Sequence, residues 1–373
     1  MKILFITFGD LSVNGCDSRP VSTLCALADA GHQVHVIAAS TELPDHPNIF
    51  KVNISSENQM TRWQIRSAVI KSSGSIKYDV FHALDDAVVF AAKVCGIKGL
   101  PFLYDATRCF AGPAAQESFI HWKWLSRWYQ KREQKILGWA HKVLTPCDTL
   151  ASELKSLCPS ADVISIEDIP LQSLFLTRNS DRASVFNRFE SSIPSTLVCG
   201  FLPEERQELR KVLMAARKVL DSIPQVGFFF KGQLALEAQQ MAANLDILKR
   251  CVFFEDKDAE EFLAALDFTN VSLFVPALGS RYVDAGIFTL LSAPAPVVAV
   301  QDGIYQHLLS DQNSILVLSS SESIAEGLIR AIQEPLFSVG LVVEGHKMLA
   351  KRYSSSSFKH KIRMAYMGVP TNE

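Results

Sequence analysis

Short apolar runs and amphipathic stretches alternate along the chain at nearly even spacing. KILFIT is followed by a polar loop from Phe8 to Arg19. Then comes PVSTLCALADAG, in which Val21, Leu24, Leu27 and Ala28 share one helical face, and then VHVIA, a second apolar run. A short apolar run bounded by turn residues reads as a strand buried on both faces, and an apolar stripe at helical spacing reads as a helix laid against it. Strand, helix, strand in that order is one right-handed crossover of a parallel sheet. The same rhythm predicts helices over 60–72, 87–96, 123–140 and 149–157. It predicts strands at YDVFHAL (78–84), PFLYDA (101–106), KVLTP (142–146) and VISIED (163–168).

The polar stretch RNSDRASVFNRFESSIP, 178–194, breaks the rhythm and marks an expected connection between domains. A second series begins after it. Strands are expected at STLVCGFL, VGFFFKG, CVFFED, VSLFVPA, PVVAV and SILVL, and helices over 208–222, 259–266, 286–293 and 323–332. The expected organisation is α/β: one doubly wound, Rossmann-like domain over 1–177 and a second over 195–353. A last helix, 354–368, carries a stripe of Phe358, Ile362, Ala365 and Tyr366 and is expected to cross back onto the first domain. Two such domains imply a cleft. Ligands of such sheets bind beyond the carboxyl ends of the strands, where helix N-termini and loop amides suit a diphosphate.

Composition narrows the function without naming it. With 373 residues, two or three domains fit. A net charge of -2 gives no reason to expect nucleic-acid binding. MKILFITFGD lacks the long apolar core and small-residue cleavage site of a secretory leader, so KILFIT is expected to be a buried strand. The eight cysteines include no CxxC pair and no zinc spacing; they are expected to be buried thiols in a reducing, cytoplasmic compartment.

Several weak motifs occur in one order along the chain. FHALDDAVVFAAKVCGIKGLPFLYDATRCF resembles an H-x-H/D segment followed by YD-x-HE. GFLPEERQELRKVLMAARKVL resembles G-R-L-x-x-x-K-G with its helix. FTLLSAPAPVVAVQDGIYQHLLSDQNSILV resembles E-A-M-A-x-G-x-P-V-V and the loop after it. Taken together, nearly the whole chain resembles glycosyltransferase family 4, whose fold is GT-B: two Rossmann-like domains facing across a cleft. The resemblance implies retaining, metal-independent transfer of a sugar from a nucleotide-diphosphate donor to a glycan or lipid-linked acceptor. No cofactor is implied besides that donor. Negative charge grows on the departing diphosphate, and cationic side chains with backbone amides stabilise it.

Carried over position by position, the resemblance implies donor contacts from Gly15, Arg206, Lys231, Gly232, Ser280, Arg281, Tyr282 and Thr289, and catalytic roles for His82, Asp105 and Thr107. The sequence departs from the family pattern at four of its strongest positions. Phe201 stands where the arginine of G-R-L belongs. Arg281 and Thr289 replace the two acids of E-x7-E. Thr107 replaces the histidine of YD-x-HE. These departures support a second reading, a catalytically silent GT-B subunit or glycan-binding partner of an active glycosyltransferase.

Two further signals have local readings. Asp256–Asp258 spells D-x-D, but Asp258 with Glu261 three residues on fits a capping box, so no metal is expected. HWKWLSRWYQKREQK, 121–135, mixes Trp122, Trp124, Trp128 and Tyr129 with Lys123, Arg127, Lys131 and Arg132. That mixture suits either a core-packed face with a solvated basic back or a peripheral contact with the inner face of a membrane.

Overall fold

The computed structural model describes the chain except residues 9–10, 12–17, 39–42, 53–61, 110–122, 170–185, 190–192, 256–257, 278–282, 285 and 371–373, and the side chains of 18, 62, 123–129 and 259–260. It divides into two compact units. One comprises Met1–Val13, Asp17–Ile169 and Ser355–Glu373; the other comprises Asn14–Cys16 and Pro170–Ser354.

The first unit is a seven-stranded sheet of β1 (Lys2–Ile6), β2 (Gln33–Ile37), β3 (Ile49–Lys51), β4 (Val80–Leu84), β5 (Phe102–Asp105), β6 (Lys142–Thr145) and β7 (Val163–Ser165). Their order across the sheet is β3-β2-β1-β4-β5-β6-β7 and every pairing is parallel. Ile3 sits opposite Val34 on one side and Val80 on the other. Parallel pairing requires a crossover between strands, and helices supply it: α1 (Ser18–Asp29), α2 (Arg62–Ser75), α3 (Val88–Lys98), α4 (Lys123–Trp139) and α5 (Asp148–Leu157). Chain direction across the sheet reverses between β1 and β4, so their carboxyl ends form this unit's switch point.

The second unit repeats the plan with six strands: β8 (Thr196–Phe201), β9 (Val226–Lys231), β10 (Cys251–Phe254), β11 (Val271–Phe274), β12 (Val297–Val300) and β13 (Ser314–Val317). Their order is β10-β9-β8-β11-β12-β13, all parallel, with the switch point between β8 and β11. Its helices are α6 (Arg206–Ser222), α7 (Ala235–Asn244), α8 (Ala259–Leu266), α9 (Gly286–Ser292), α10 (Ser321–Gln333) and α11 (Pro335–Arg352). Strand side chains alternate between faces. Val198, Phe228 and Phe230 therefore join Leu209, Val212 and Leu213 of α6 in one core, while Leu197, Cys199 and Phe229 join Phe262, Leu266 and Ile287 in another.

The chain ends in α12 (Ser355–Tyr366), which belongs to the first unit. Its Phe358, Ile362, Ala365 and Tyr366 are buried with Leu24 and Leu27 of α1 and Ile3 and Phe5 of β1. Lys359 pairs with Asp29, and Lys361 with Glu167, at the margins of that contact.

Three elements escape the hydrophobic pattern. β3 is a three-residue edge strand whose Phe50 and Lys51 are exposed, so it lacks an apolar run. The buried face of α7 is Ala235, Ala238 and Ala242, too weak a stripe to register. α11 has a proline in its first turn and apolar residues spread around its circumference. Of the cysteines, Cys95, Cys109, Cys147, Cys158, Cys199 and Cys251 are buried, reduced thiols, and burial pushes those of Cys95 and Cys199 up to about 12.

Candidate functional site

At the carboxyl edge of the first sheet, polar residues of three motifs meet. Arg19, in the first turn of α1, turns inward and is 2% exposed. Its Nε donates to Asp105 Oδ1 at 2.7 Å, and its Nη1 donates to Asp168 Oδ1 at 2.8 Å and to the Ile166 carbonyl at 2.6 Å. Burial alone would pull the guanidinium pKa down; the two carboxylates outweigh it and raise it. Burial alone would raise the Asp105 carboxyl. Arg19 and His82 outweigh that and hold it below its usual range.

His82 lies on β4, beside Asp105 on β5 in the same sheet, and both are 0% exposed. His82 Nδ1 is 2.6 Å from the Tyr366 hydroxyl, and Nε2 is 3.5 Å from Asp105 Oδ2. Burial first of all, with the Asp105 charge nearby, keeps the Tyr366 phenol protonated. The imidazole thus sits between the phenol on Nδ1 and the Asp105 carboxylate on Nε2. At 3.5 Å that second contact is electrostatic and long for a hydrogen bond. The imidazole also stacks on Phe5, with centroids 4.8 Å apart. The structure thus brings His82 and Asp105 together in the interior of the unit, without access to solvent.

Thr107 takes another partner. Its backbone N–H and its hydroxyl donate to the two oxygens of Asp85, at 2.8 and 2.6 Å. Asp85 follows β4 directly and has φ +46, a left-handed conformation that costs an aspartate less than most residues. Burial lifts its carboxyl above the usual range, and the two bonds from Thr107 offset part of the shift. Asp86 and Arg108 approach to 3.6 Å beside it. Sequence reasoning missed Asp85; its signal is the acidic pair that directly follows the buried strand.

In the second unit, Phe201 ends β8. Its ring packs on Phe262 with centroids 5.2 Å apart, and it would lie 3.0 Å from a Cβ placed on Gly286. The glycine at the start of α9 thus makes room for the aromatic ring that stands in the arginine's place. Lys231 ends β9 and is 2% exposed. A Cβ on Gly232 would meet Leu202 Cβ at 2.8 Å, so close strand packing accounts for that glycine. Arg206 opens α6 with 76% of its side chain exposed and forks onto Glu237 of α7, Nε to Oε2 at 3.0 Å and Nη2 to Oε1 at 2.7 Å. Among the described residues no side chain caps α6. Its first amides and Arg206 are chemically suited to an anion. Thr289 is fully buried in α9, and its hydroxyl has no hydrogen-bond partner among the described residues.

Gly15, Ser280, Arg281 and Tyr282 lie outside the described residues, as does Asp256 of the D-x-D string. The capping box expected at Asp258 does not form. Among the described residues no side chain caps α8; Asp258 instead accepts from the Glu255 N–H before it, and Glu261 pairs with Arg188. Asp258 has φ -97 and ψ 19 rather than the extended backbone that aims a capping oxygen at the first turn. Asp284 binds its own turn, accepting from Gly286 N–H at 2.7 Å. Among the described residues no three His, Cys, Asp or Glu side chains gather as a metal site, and no helix is long and apolar enough to cross a membrane.

No protein-family model matches the chain, and no curated protein matches it in sequence. Solved structures do match in fold. WaaG, a glycosyltransferase involved in lipopolysaccharide biosynthesis, superposes with a TM-score of 0.73 at 15% identity, over 98% of this chain and 100% of its own. HepE from Anabaena, in complex with UDP and glucose, gives 0.73 at 15% identity, over 99% and 100%. Sucrose-phosphate synthase from Thermosynechococcus elongatus gives 0.71 at 14% identity, over 98% of each chain. At such identities likeness speaks for fold: two parallel sheets of seven and six strands with this topology are the GT-B fold.

Proposed function

We propose that the chain is a glycosyltransferase that moves a sugar from a nucleotide-diphosphate donor to a glycan or glycolipid acceptor, with retention and without metal. The observation that carries this reading is the full-length GT-B fold, shared with HepE, which was solved with UDP and glucose. The second unit offers the matching chemistry. Arg206 and the amides at the start of α6 meet the diphosphate; Lys231, at the end of β9, adds a second cation near the switch point. In the transition state they stabilise the charge growing on the leaving diphosphate. Donor binding then replaces the exposed Arg206–Glu237 pair, a weak contact to give up because solvent screens it. In the first unit Thr107 meets substrate, while His82 and Asp105 act from the interior by holding the strand ends on which it stands. The protein works in the cytoplasm, with 121–135 as a peripheral contact at the membrane's inner face.

A second reading, the catalytically silent subunit, is favoured by Phe201 and Thr289. The first puts an aromatic ring where a phosphate would need a cation, and the second turns its hydroxyl into the core.

Calorimetry with UDP, GDP and ADP, without metal and then with magnesium, decides between them. Micromolar binding of one nucleotide that is lost in Arg206→Ala is the result expected of a transferase. A folded sample that binds none of the three overturns that reading in favour of the silent subunit.

A further inference from the structure

α11 is apolar on two faces, and the second unit covers one of them. Ser338, Leu341, Gly345 and Leu349 are buried, where the helix packs on α9, α10 and β13, the last strand of its sheet. On the other side Leu336 is 90% exposed, Val339 60% and Val343 43%. At helical spacing Leu336, Gly340, Val343 and Lys347 fall within about 60° of one another, so the exposed residues form one stripe along the helix. A helix that is apolar all round is ordinarily covered all round, and a contiguous apolar surface on a folded unit marks a contact site.

Gly340 sits in the middle of that stripe. A Cβ there would meet nothing within 4 Å among the described residues, and its φ is not positive, so neither packing nor backbone conformation calls for glycine. In a helix interior it costs about 1 kcal/mol relative to alanine. A second helix laid across the stripe would use it, because a small residue at the crossing lets two axes approach closely.

Charge indicates which helix that is. Glu334 lies at the amino end of α11, and Lys347 and Lys351 lie toward its carboxyl end, all exposed. Opposite charges at the two ends make the stripe complementary to itself run backwards. Antiparallel pairing about a two-fold axis brings Glu334 near Lys351 of the other copy, sets the two helix dipoles against each other favourably, and seats each Val343 over the other copy's Gly340. Anionic lipid would meet Glu334 and Glu344 beside the stripe, and a partner of one charge sign would be repelled at one end.

We propose that the chain pairs with a second copy of itself through α11, antiparallel across a two-fold axis, with Gly340 and Val343 at the crossing. A contact of one helix pair is smaller than a standard interface, so the affinity is on the order of micromolar. The pairing stands whichever reading of the donor site holds.

Sedimentation equilibrium of the full-length protein, from about 1 to about 100 µM, tests it. The wild type is expected to pass from monomer to dimer over that range. Val343→Glu should weaken association at least about tenfold, since it buries an unpaired charge at the crossing. Gly340→Leu should weaken it comparably while the melting temperature holds or rises, because leucine is the better helix former. Glu334→Lys should weaken the dimer, and Glu334→Lys/Lys351→Glu should restore it, as an antiparallel self-complementary pair requires. Leu236→Glu, which charges an exposed leucine on α7 at the other edge of the sheet, should leave it unchanged. Thermal melts establish that each variant is folded. A wild type that stays monomeric at about 100 µM overturns the proposal, as does a folded Val343→Glu variant that dimerises as the wild type does.

Discussion

Arg19 takes a full positive charge into the interior of the first unit, where Asp105, Asp168 and a backbone carbonyl meet it. Removing one partner of a buried pair leaves the other charge uncompensated, which costs about 3–5 kcal/mol. Arg19→Met should lower stability by that order in urea titrations at neutral pH. Asp105 also fixes the pH dependence. A carboxyl held below its usual range on folding adds stability at pH above its unfolded value and loses it as pH falls through the folded value. Stability should therefore fall on acidification below about pH 4, and fall less in Arg19→Met. Tyr366→Phe, which removes the hydrogen-bond partner of His82 Nδ1, should cost about 1–3 kcal/mol. His82 and Asp105 stand out in the sequence as polar residues in apolar strands, but their surroundings cannot be read there. Asp105 is 86 positions from Arg19 and His82 is 284 from Tyr366, and local periodicity carries no trace of such pairings.

Strands and amphipathic helices were the most legible features, because a strand buried on both faces writes itself as an unbroken apolar run. Legibility failed where burial is achieved by alanine, as in α7, or where a helix is apolar around its girth, as in α11. It failed again at Asp258, where residue types suited to a cap occur on backbone that does not form one. At this scale packing sets the penalties. Ile362 of α12 is 0% exposed, and Ile362→Ala should destabilise the first unit by about 2–5 kcal/mol, read from its urea midpoint. Gly232→Ala should cost about 1–3 kcal/mol through the Leu202 contact, and a crystal structure of that variant should show β8 and β9 displaced there. If Gly232 also meets a donor phosphate, nucleotide affinity falls with it.

On the scale of the whole chain, the doubly wound class was legible because the alternation of strand and helix recurs through both units. The chemistry was not, because a fold is specified by many apolar positions and a site by a few polar ones. The path of the chain has its own consequence. The first unit contains both the opening residues and α12, while the second is almost entirely one continuous segment. A chain truncated before Ser355 should keep the second unit's hydrogen-exchange protection and lose much of the first unit's, since Phe358, Ile362 and Tyr366 leave its core. Biosynthesis meets the same condition in time. About 185 residues separate Ile169 from Ser355, and at roughly 5–20 residues per second the ribosome takes about 10–40 seconds to make them. Throughout that interval the earlier-made half waits with an apolar face uncovered, while the later-made half can finish folding. During synthesis the protein is thus open to chaperones, and to aggregation, through the face of the first unit that α12 later covers.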